Sequence, residues 1–405
     1  MPQPERIDVD LVVTGSAELL TIAEDAADLV GRILGGGVAI DDGRIVAVGD
    51  VSGYRGRRTI DAAGCVVMPG FVDGHTHVVF GGDRVDEYTA KVGGTPLPAG
   101  APAGIAGTVG QTRAASAAEL IDAARTRIHD MIAAGTTTIE SKTGYGLTAA
   151  DEHRLLEVNR RLAETLPIDL SSTFLGAHAF PPDGGEEAYI DDIVAMLPGI
   201  AEQGLADACD VYCDDGYYTY EQTDRIFAAS AAAGLPVKLH LDAYGHTGAA
   251  ELAVAHRAIS VDHLNYTTDA ELRALAEVGA VGVYMPCLEY SVHHPQPFDP
   301  KRAIEAGMEL ALATDICPGC HVASMQLVIA MACRTGGLTP AQAVRGATYG
   351  SARSLGRADR VGSLRPGMQA DVIIVDIPRY EHLAYRIGAN SVRTVIARGE
   401  VIKEN

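Results

Sequence analysis

The chain runs to 405 residues, room for two or three average domains or for one large barrel with a satellite. Hydrophobic residues make up 47% and charged residues 21%, a globular balance that excludes global disorder. Lys and Arg number 32 against 53 Asp and Glu, a formal charge of −21, so the chain carries no basic footprint for nucleic acid.

In chain order, the start MPQPERIDVD is acidic and lacks the charged-then-apolar pattern of a signal peptide. Apolar runs at 10–14 and 38–40 read as strands, and Asp41-Asp42-Gly43-Arg44 supplies a turn into a third run at 45–48. Residues 66–75 form the next expected strand. Ser116 and Glu119 make a capping box, Leu120, Ala124, Ile128 and Met131 follow at helical spacing, and Gly135 closes that helix. A β-branched strand at 136–140 comes next, and others are expected near 169–176, 209–213, 237–240, 259–263, 281–285 and 310–315. Strand texture returns at 370–375 and 392–397. The longest apolar stretches, 322–333 among them, fall short of the roughly 20 residues that span a bilayer. Seven cysteines in so long a chain do not make a disulfide scaffold, and a cytoplasmic protein without membrane partners is expected.

Counting from 66–75, eight strands alternate with helices, which fits a TIM-like (β/α)8 barrel of the α/β class better than a doubly wound sheet. The strand-rich ends predict a small β-sandwich sewn from both termini. The expected division is a composite β domain of 1–68 and 364–405 around a barrel of 69–363. Chemistry in such barrels sits where strands end. His75-Thr76-His77 follows the first strand, and alternation puts both imidazoles on one side, within reach of one metal ion. An H-x-H alone is weak, and its ordinary reading is two satisfied surface histidines. The other strand ends, however, present His178, His240, His263 and Asp315. Together they point to a catalytic metal.

Pro69-Gly70-Phe71-Val72-Asp73-Gly74-His75-Thr76-His77 resembles the signature of the amidohydrolase superfamily, and 362–371 resembles its return into the β domain. More narrowly the chain resembles the imidazolonepropionases, ring-opening enzymes of histidine breakdown. That likeness covers nearly the whole chain and rests on the motifs at 77–84, 140–147, 174–179, 248–253 and 262–264. It implies that His75, His77, His240 and Asp315 hold one divalent ion, zinc or iron with manganese as a further option, around a water whose pKa the cation lowers. It further implies that Asp315 takes the water's proton and that His263 stands beside the attacked atom. His178 would contact the substrate ring. Arg84 and Tyr145 match substrate-binding positions, the arginine suiting a carboxylate. A homodimer is implied too.

Departures from the family pattern cluster in the pocket. Ala243 stands where these enzymes usually carry Glu or Gln, and Leu97 where a tyrosine is often found. Thr314-Asp315-Ile316-Cys317-Pro318-Gly319-Cys320 replaces a Thr-Asp-Phe-Asn-Pro-Gly-Ser pattern, so Cys317 and Cys320 flank Gly319 where substrate-facing polar groups are usual. Each lost hydrogen-bonding partner costs about 1–3 kcal/mol, so the same hydrolytic engine with an altered ligand is expected, a smaller or less polar five-membered nitrogen heterocycle. Opening of a cyclic amide and displacement of a substituent such as amino or nitro with the ring intact both remain open. A non-catalytic binding barrel is the rival of another class. The Cys317–Cys320 spacing also admits redox chemistry, a disulfide or, with Cys209 and Cys213, a structural zinc, beside plain pocket lining by these thiols and Cys287. Lys142 raises the question of a bridged second metal, His293-His294 that of a lid or a solvated pair, and Arg84 admits a structural ion pair with Asp86 or Glu87.

Overall fold

The computed structural model describes residues 6–404. The first five residues of the acidic start, and Asn405 at the end of the expected composite domain, lie outside the described residues. Eight parallel strands follow one another around a barrel: Phe71–Asp73, Thr136–Lys142, Asp169–Ala177, Ala208–Cys213, Val237–Leu241, Ser260–His263, Val281–Tyr284 and Leu310–Leu312. Nearly every position in them is buried, because helices cover the outside and side chains fill the inside. The ring is tied shut at the carboxyl ends of its first and last strands. There Thr314 donates through N and Oγ1 to the Asp73 carboxylate at 3.0 and 2.6 Å. Asp315 N also donates to His75 O, and His77 N to Ile316 O.

The capping box of Ser116 and Glu119 opens the helix Ala117–Ala133, and Leu120, Ala124, Ile128 and Met131 are buried on it as expected. Arg127 is buried there too. Its guanidinium lies 3.4 Å from the centre of the Phe80 ring and donates to Val78 O and Phe80 O, which fixes the segment that leaves the first barrel strand.

One expectation is corrected. Residues 66–75 are not a single strand: Val66–Pro69 belongs to a terminal sheet and Phe71–Asp73 to the barrel. Gly70 is the crossing point, donating to Asp371 O while its neighbour Phe71 donates to Gly135 O. A Cβ at Gly70 would stand 2.1 Å from Thr137 Oγ1, so glycine lets the backbone pass against the Thr137 side chain.

The termini build two sheets. One has the order Arg44–Gly49, Gly37–Asp41, Ile7–Thr14 and Tyr54–Asp61. The other runs Glu400–Glu404, Val392–Ala397, Val372–Val375, Val66–Pro69, Glu18–Leu20 and Arg32–Leu34, and so mixes strands from both ends of the chain. Val67, Val372, Ile374 and Ile396 face the other sheet and pack with Leu11, Val38 and Ile40. Their sequence neighbours Val66, Met68, Ile373 and Val395 join the core shared with the barrel. A sheet covered on both faces explains why these strands read as unbroken apolar runs. Among the described residues no helix is long and apolar enough to cross a membrane.

Candidate metal centre and pocket

His75 and His77 lie just beyond the first barrel strand, His240 within the fifth, His263 at the end of the sixth and Asp315 just beyond the eighth. His263 and Asp315 both have left-handed backbones, with φ of 79° and 47°, a conformation that costs a residue with a Cβ and turns its side chain out of the strand's alternation. All five side chains converge. His75 Nε2 and His77 Nε2 each stand 3.7 Å from Asp315 Oδ1, and the His240 ring centre lies 4.6 Å from that of His75 and 5.2 Å from that of His263. Two groups of potential ligand atoms share His75: one with His77 and Asp315, one with His240 and His263, each with its atoms within 4.8 Å of one another. The four expected ligands thus straddle both groups, and His263 sits close enough to join the second.

His75 Nε2, His240 Nε2 and Asp315 Oδ1 are buried without a hydrogen-bond partner. Orphaned buried polar atoms are costly, and three that converge fit a cation. Burial pushes the imidazoles of His75, His77 and His240 well below the ordinary histidine range, with the Lys142 ammonium or neighbouring imidazoles adding to it, so the rings are in the neutral form that ligates. Burial pushes the Asp315 carboxyl well above its usual range, with Lys142 pulling the other way.

Behind the histidines lies a charged layer of which only Lys142 stands out in the sequence, and there it is ion-paired with carboxylates. His75 Nδ1 is 2.6 Å from Asp262 Oδ2, and His240 Nδ1 is 3.2 Å from Asp210. Lys142 reaches both aspartates and Glu140, and Lys238 reaches Glu140. The available signal was charge at alternate positions inside strand-like runs, as in Glu140-Ser141-Lys142 and Lys238-Leu239-His240.

On the pocket side, His178 stacks on His77 with ring centres 4.9 Å apart, and Tyr145 meets His178 edge-on at 5.2 Å. His178 Nδ1 faces Gly144 O at 3.1 Å, so Nδ1 carries the proton and Nε2 is left as an acceptor. Burial lowers this imidazole to about 4, as it does His263. Arg84 Nε donates to Thr108 Oγ1, and its Nη1 approaches Gly319. Among the described residues no carboxylate pairs with Arg84, and Glu87 instead accepts from Gly104 N. Cys317 and Cys320 face each other across a tight turn with reciprocal backbone hydrogen bonds of 3.0 and 3.1 Å. Both are free thiols. Burial and the nearby Asp315 push Cys317 well above the usual thiol range, and burial takes Cys320 to about 12, so neither is a ready thiolate. Ala243 is buried, and its carbonyl accepts from His294 Nε2 at 2.8 Å. His294 therefore ties the seventh-strand loop to the end of the fifth strand, while His293 is exposed. Leu97 is half-buried in the segment between the helices Val85–Gly93 and Gly104–Ala114. The aromatic wall of Tyr212, 5.4 Å from His240 and 6.1 Å from His178, went unread in the sequence.

The sequence profile of the amidohydrolase family matches residues 66–402. The chain belongs to the amidohydrolase family. It is 42% identical to the imidazolonepropionase of Herpetosiphon aurantiacus over 91% of this chain and 90% of that protein. It is 40% identical to that of Symbiobacterium thermophilum over 97% of each. Among solved structures, an adenosine deaminase from Xanthomonas campestris with bound zinc superposes with a TM-score of 0.77 at 20% identity, covering 98% of this chain and 94% of that one. A variant of the atrazine chlorohydrolase TrzN from Arthrobacter aurescens, complexed with zinc and atraton, gives 0.78 at 17% identity, covering 98% and 95%. These structural likenesses speak to the fold. This amidohydrolase is a metal-dependent hydrolase of carbon–nitrogen bonds.

Proposed function

We propose that the chain is a mononuclear hydrolase in which His75, His77, His240 and Asp315 hold one zinc, iron or manganese ion and which acts on a small five-membered nitrogen heterocycle. The observation that carries this reading is the set of buried, partnerless atoms His75 Nε2, His240 Nε2 and Asp315 Oδ1. When bound, such a cation supplies a Lewis acid that acidifies water near neutral pH. Asp315 then accepts the proton of the attacking water, and His263 polarises the atom under attack. His178 Nε2 accepts a ring N–H, and Arg84, without a carboxylate partner among the described residues, holds an anionic arm of the substrate. Tyr145 closes the pocket against His178. We place the enzyme in the cytoplasm as a homodimer, with a composite β domain of 1–68 and 364–405 around the barrel of 69–363.

Ala243, Cys317 and Cys320 supply fewer strong hydrogen-bonding groups than the family pattern, which supports a ligand other than imidazolone propionate. Steady-state kinetics test this directly: imidazolone propionate is expected to be a poor substrate. Turnover near 10 per second, typical of enzymes on their own substrates, would refute the altered pocket. Hydrolysis in heavy-oxygen water separates the two outcomes left open, since ring opening gives a linear labelled product and displacement leaves a labelled, intact ring.

A further inference from the structure

Five charged side chains from the barrel strands lie fully buried behind the metal-facing histidines: Glu140, Lys142, Asp210, Lys238 and Asp262. Lys142 Nζ stands 2.6 Å from Asp210 Oδ2, 3.0 Å from Glu140 Oε2 and 3.4 Å from Asp262 Oδ2. Lys238 Nζ stands 2.7 Å from Glu140 Oε1 and 3.3 Å from Gly74 O, and forms no ion pair with either aspartate among the described residues. The Asp262 oxygen that Lys142 approaches is the one that takes the Nδ1 proton of His75 at 2.6 Å, and Asp210 serves His240 Nδ1 in the same way. An aspartate on Nδ1 fixes the tautomer and turns Nε2 forward, and in both rings Nε2 is the atom left without a partner. Two buried carboxylates this close repel each other, and an ammonium bridging them holds both in place.

We propose that Lys142 is a positioning residue whose ammonium clamps Asp210 and Asp262 so that these carboxylates aim His240 and His75 at the cation. The proposal rests on the reading of His75 and His240 as ligands. It makes Lys142 different in kind from Lys238, which has the same charge, equal burial and a shared partner in Glu140, but touches neither histidine–aspartate pair.

The test is the dissociation constant for zinc, measured on the full-length protein by competition with a chromophoric chelator, alongside thermal melts in chelator. Lys142→Met is expected to weaken zinc by about 10–100-fold and Lys238→Met by less than about threefold. Cobalt(II) in place of zinc is expected to give an altered visible spectrum in Lys142→Met and a parental one in Lys238→Met. Lys142→Gln, which keeps a hydrogen-bond donor, is expected to fall between parent and Lys142→Met. Equal losses in the two methionine variants, or parental zinc affinity in a folded Lys142 variant, overturn the proposal. So does failure of both Lys142 variants to fold, since the lysine is then a folding requirement. A parent protein that binds no transition metal overturns the ligand reading itself, and this proposal with it.

Discussion

Asp315 carries several demands on one carboxylate. Its left-handed backbone turns it inward, its amide is spent on His75 O, and its Oδ1 lies 3.7 Å from two imidazole nitrogens with no hydrogen-bond partner. An amide in its place keeps the shape but loses both the charge and the ability to take a proton. Asp315→Asn is therefore expected to lower kcat/KM by about 10²–10⁴-fold, and near-parental turnover in that variant would remove Asp315 from the mechanism. Arg84 poses a different question. Its Nε is anchored on Thr108 and no carboxylate of the described residues neutralises its far end, so a bound anion would complete it. Arg84→Met is expected to raise KM by about 10–100-fold for a substrate bearing a carboxylate, the value of a charged hydrogen bond, with a smaller effect on kcat. Equal loss for an analogue lacking the carboxylate would show that Arg84 only shapes the loop.

The helix Pro286–Val292, which follows the seventh barrel strand, holds its loop through Glu289. Glu289 Oε1 accepts from Asn265 Nδ2 at 2.6 Å and from Phe298 N at 2.9 Å. Burial pushes this carboxyl up to about 7 from an ordinary 4.5. A raised carboxyl stabilises the fold fully below the unfolded value and loses that contribution as pH rises through the folded one. Glu289→Gln stays uncharged, so its stability relative to the parent is expected to climb between pH 4.5 and 7, on the order of 1–3 kcal/mol in total, then level off. Urea unfolding of both proteins across that range checks it, and a difference independent of pH would sink the assignment. None of this was legible in the sequence, since Glu289, Asn265 and His294 meet only through the fold. What was legible had a local cause. The strands ended in ligand-type side chains, and the helix from Ala117 announced itself by its cap and period. The break at Gly70 had a local mark in Pro69-Gly70, but the residues on either side of it, 66–68 and 71–72, are apolar and buried alike, so no alternation separated one sheet from the other. The Lys142 layer left charge at alternate positions within its strands, but which of those charges pair is decided across strands, and no spacing within one strand gives that.

At the scale of the whole molecule, chemistry and anchoring occupy opposite ends of the barrel. The ligands gather at the carboxyl ends of the strands, whereas Asp169 opens the third barrel strand at the amino end. Its carboxylate meets Arg398 at 2.6 Å, Arg360 at 3.3 Å and Arg357 at 3.9 Å. Arg398 belongs to the turn between Val392–Ala397 and Glu400–Glu404, so one buried carboxylate binds the terminal sheet to the barrel floor. In a chain with a formal charge of −21, three arginines gather on one buried aspartate at that joint, and Arg357 also meets Asp207 at 2.9 Å. Removing Asp169 leaves Arg357 on Asp207 but takes from Arg360 and Arg398 the carboxylate they meet, so the charge link between sheet and barrel is lost. Solvent reaches Arg360 and Arg398, which screens part of that effect. Asp169→Ala is accordingly expected to lose about 1–3 kcal/mol of stability in urea unfolding while kcat/KM in the native range stays within about twofold of the parent. Loss of turnover without loss of stability would mean that the floor of the barrel communicates with its mouth. Unchanged stability would mean that apolar packing between sheet and barrel, through Val66, Met68, Ile373 and Val395, holds the joint without help from charge.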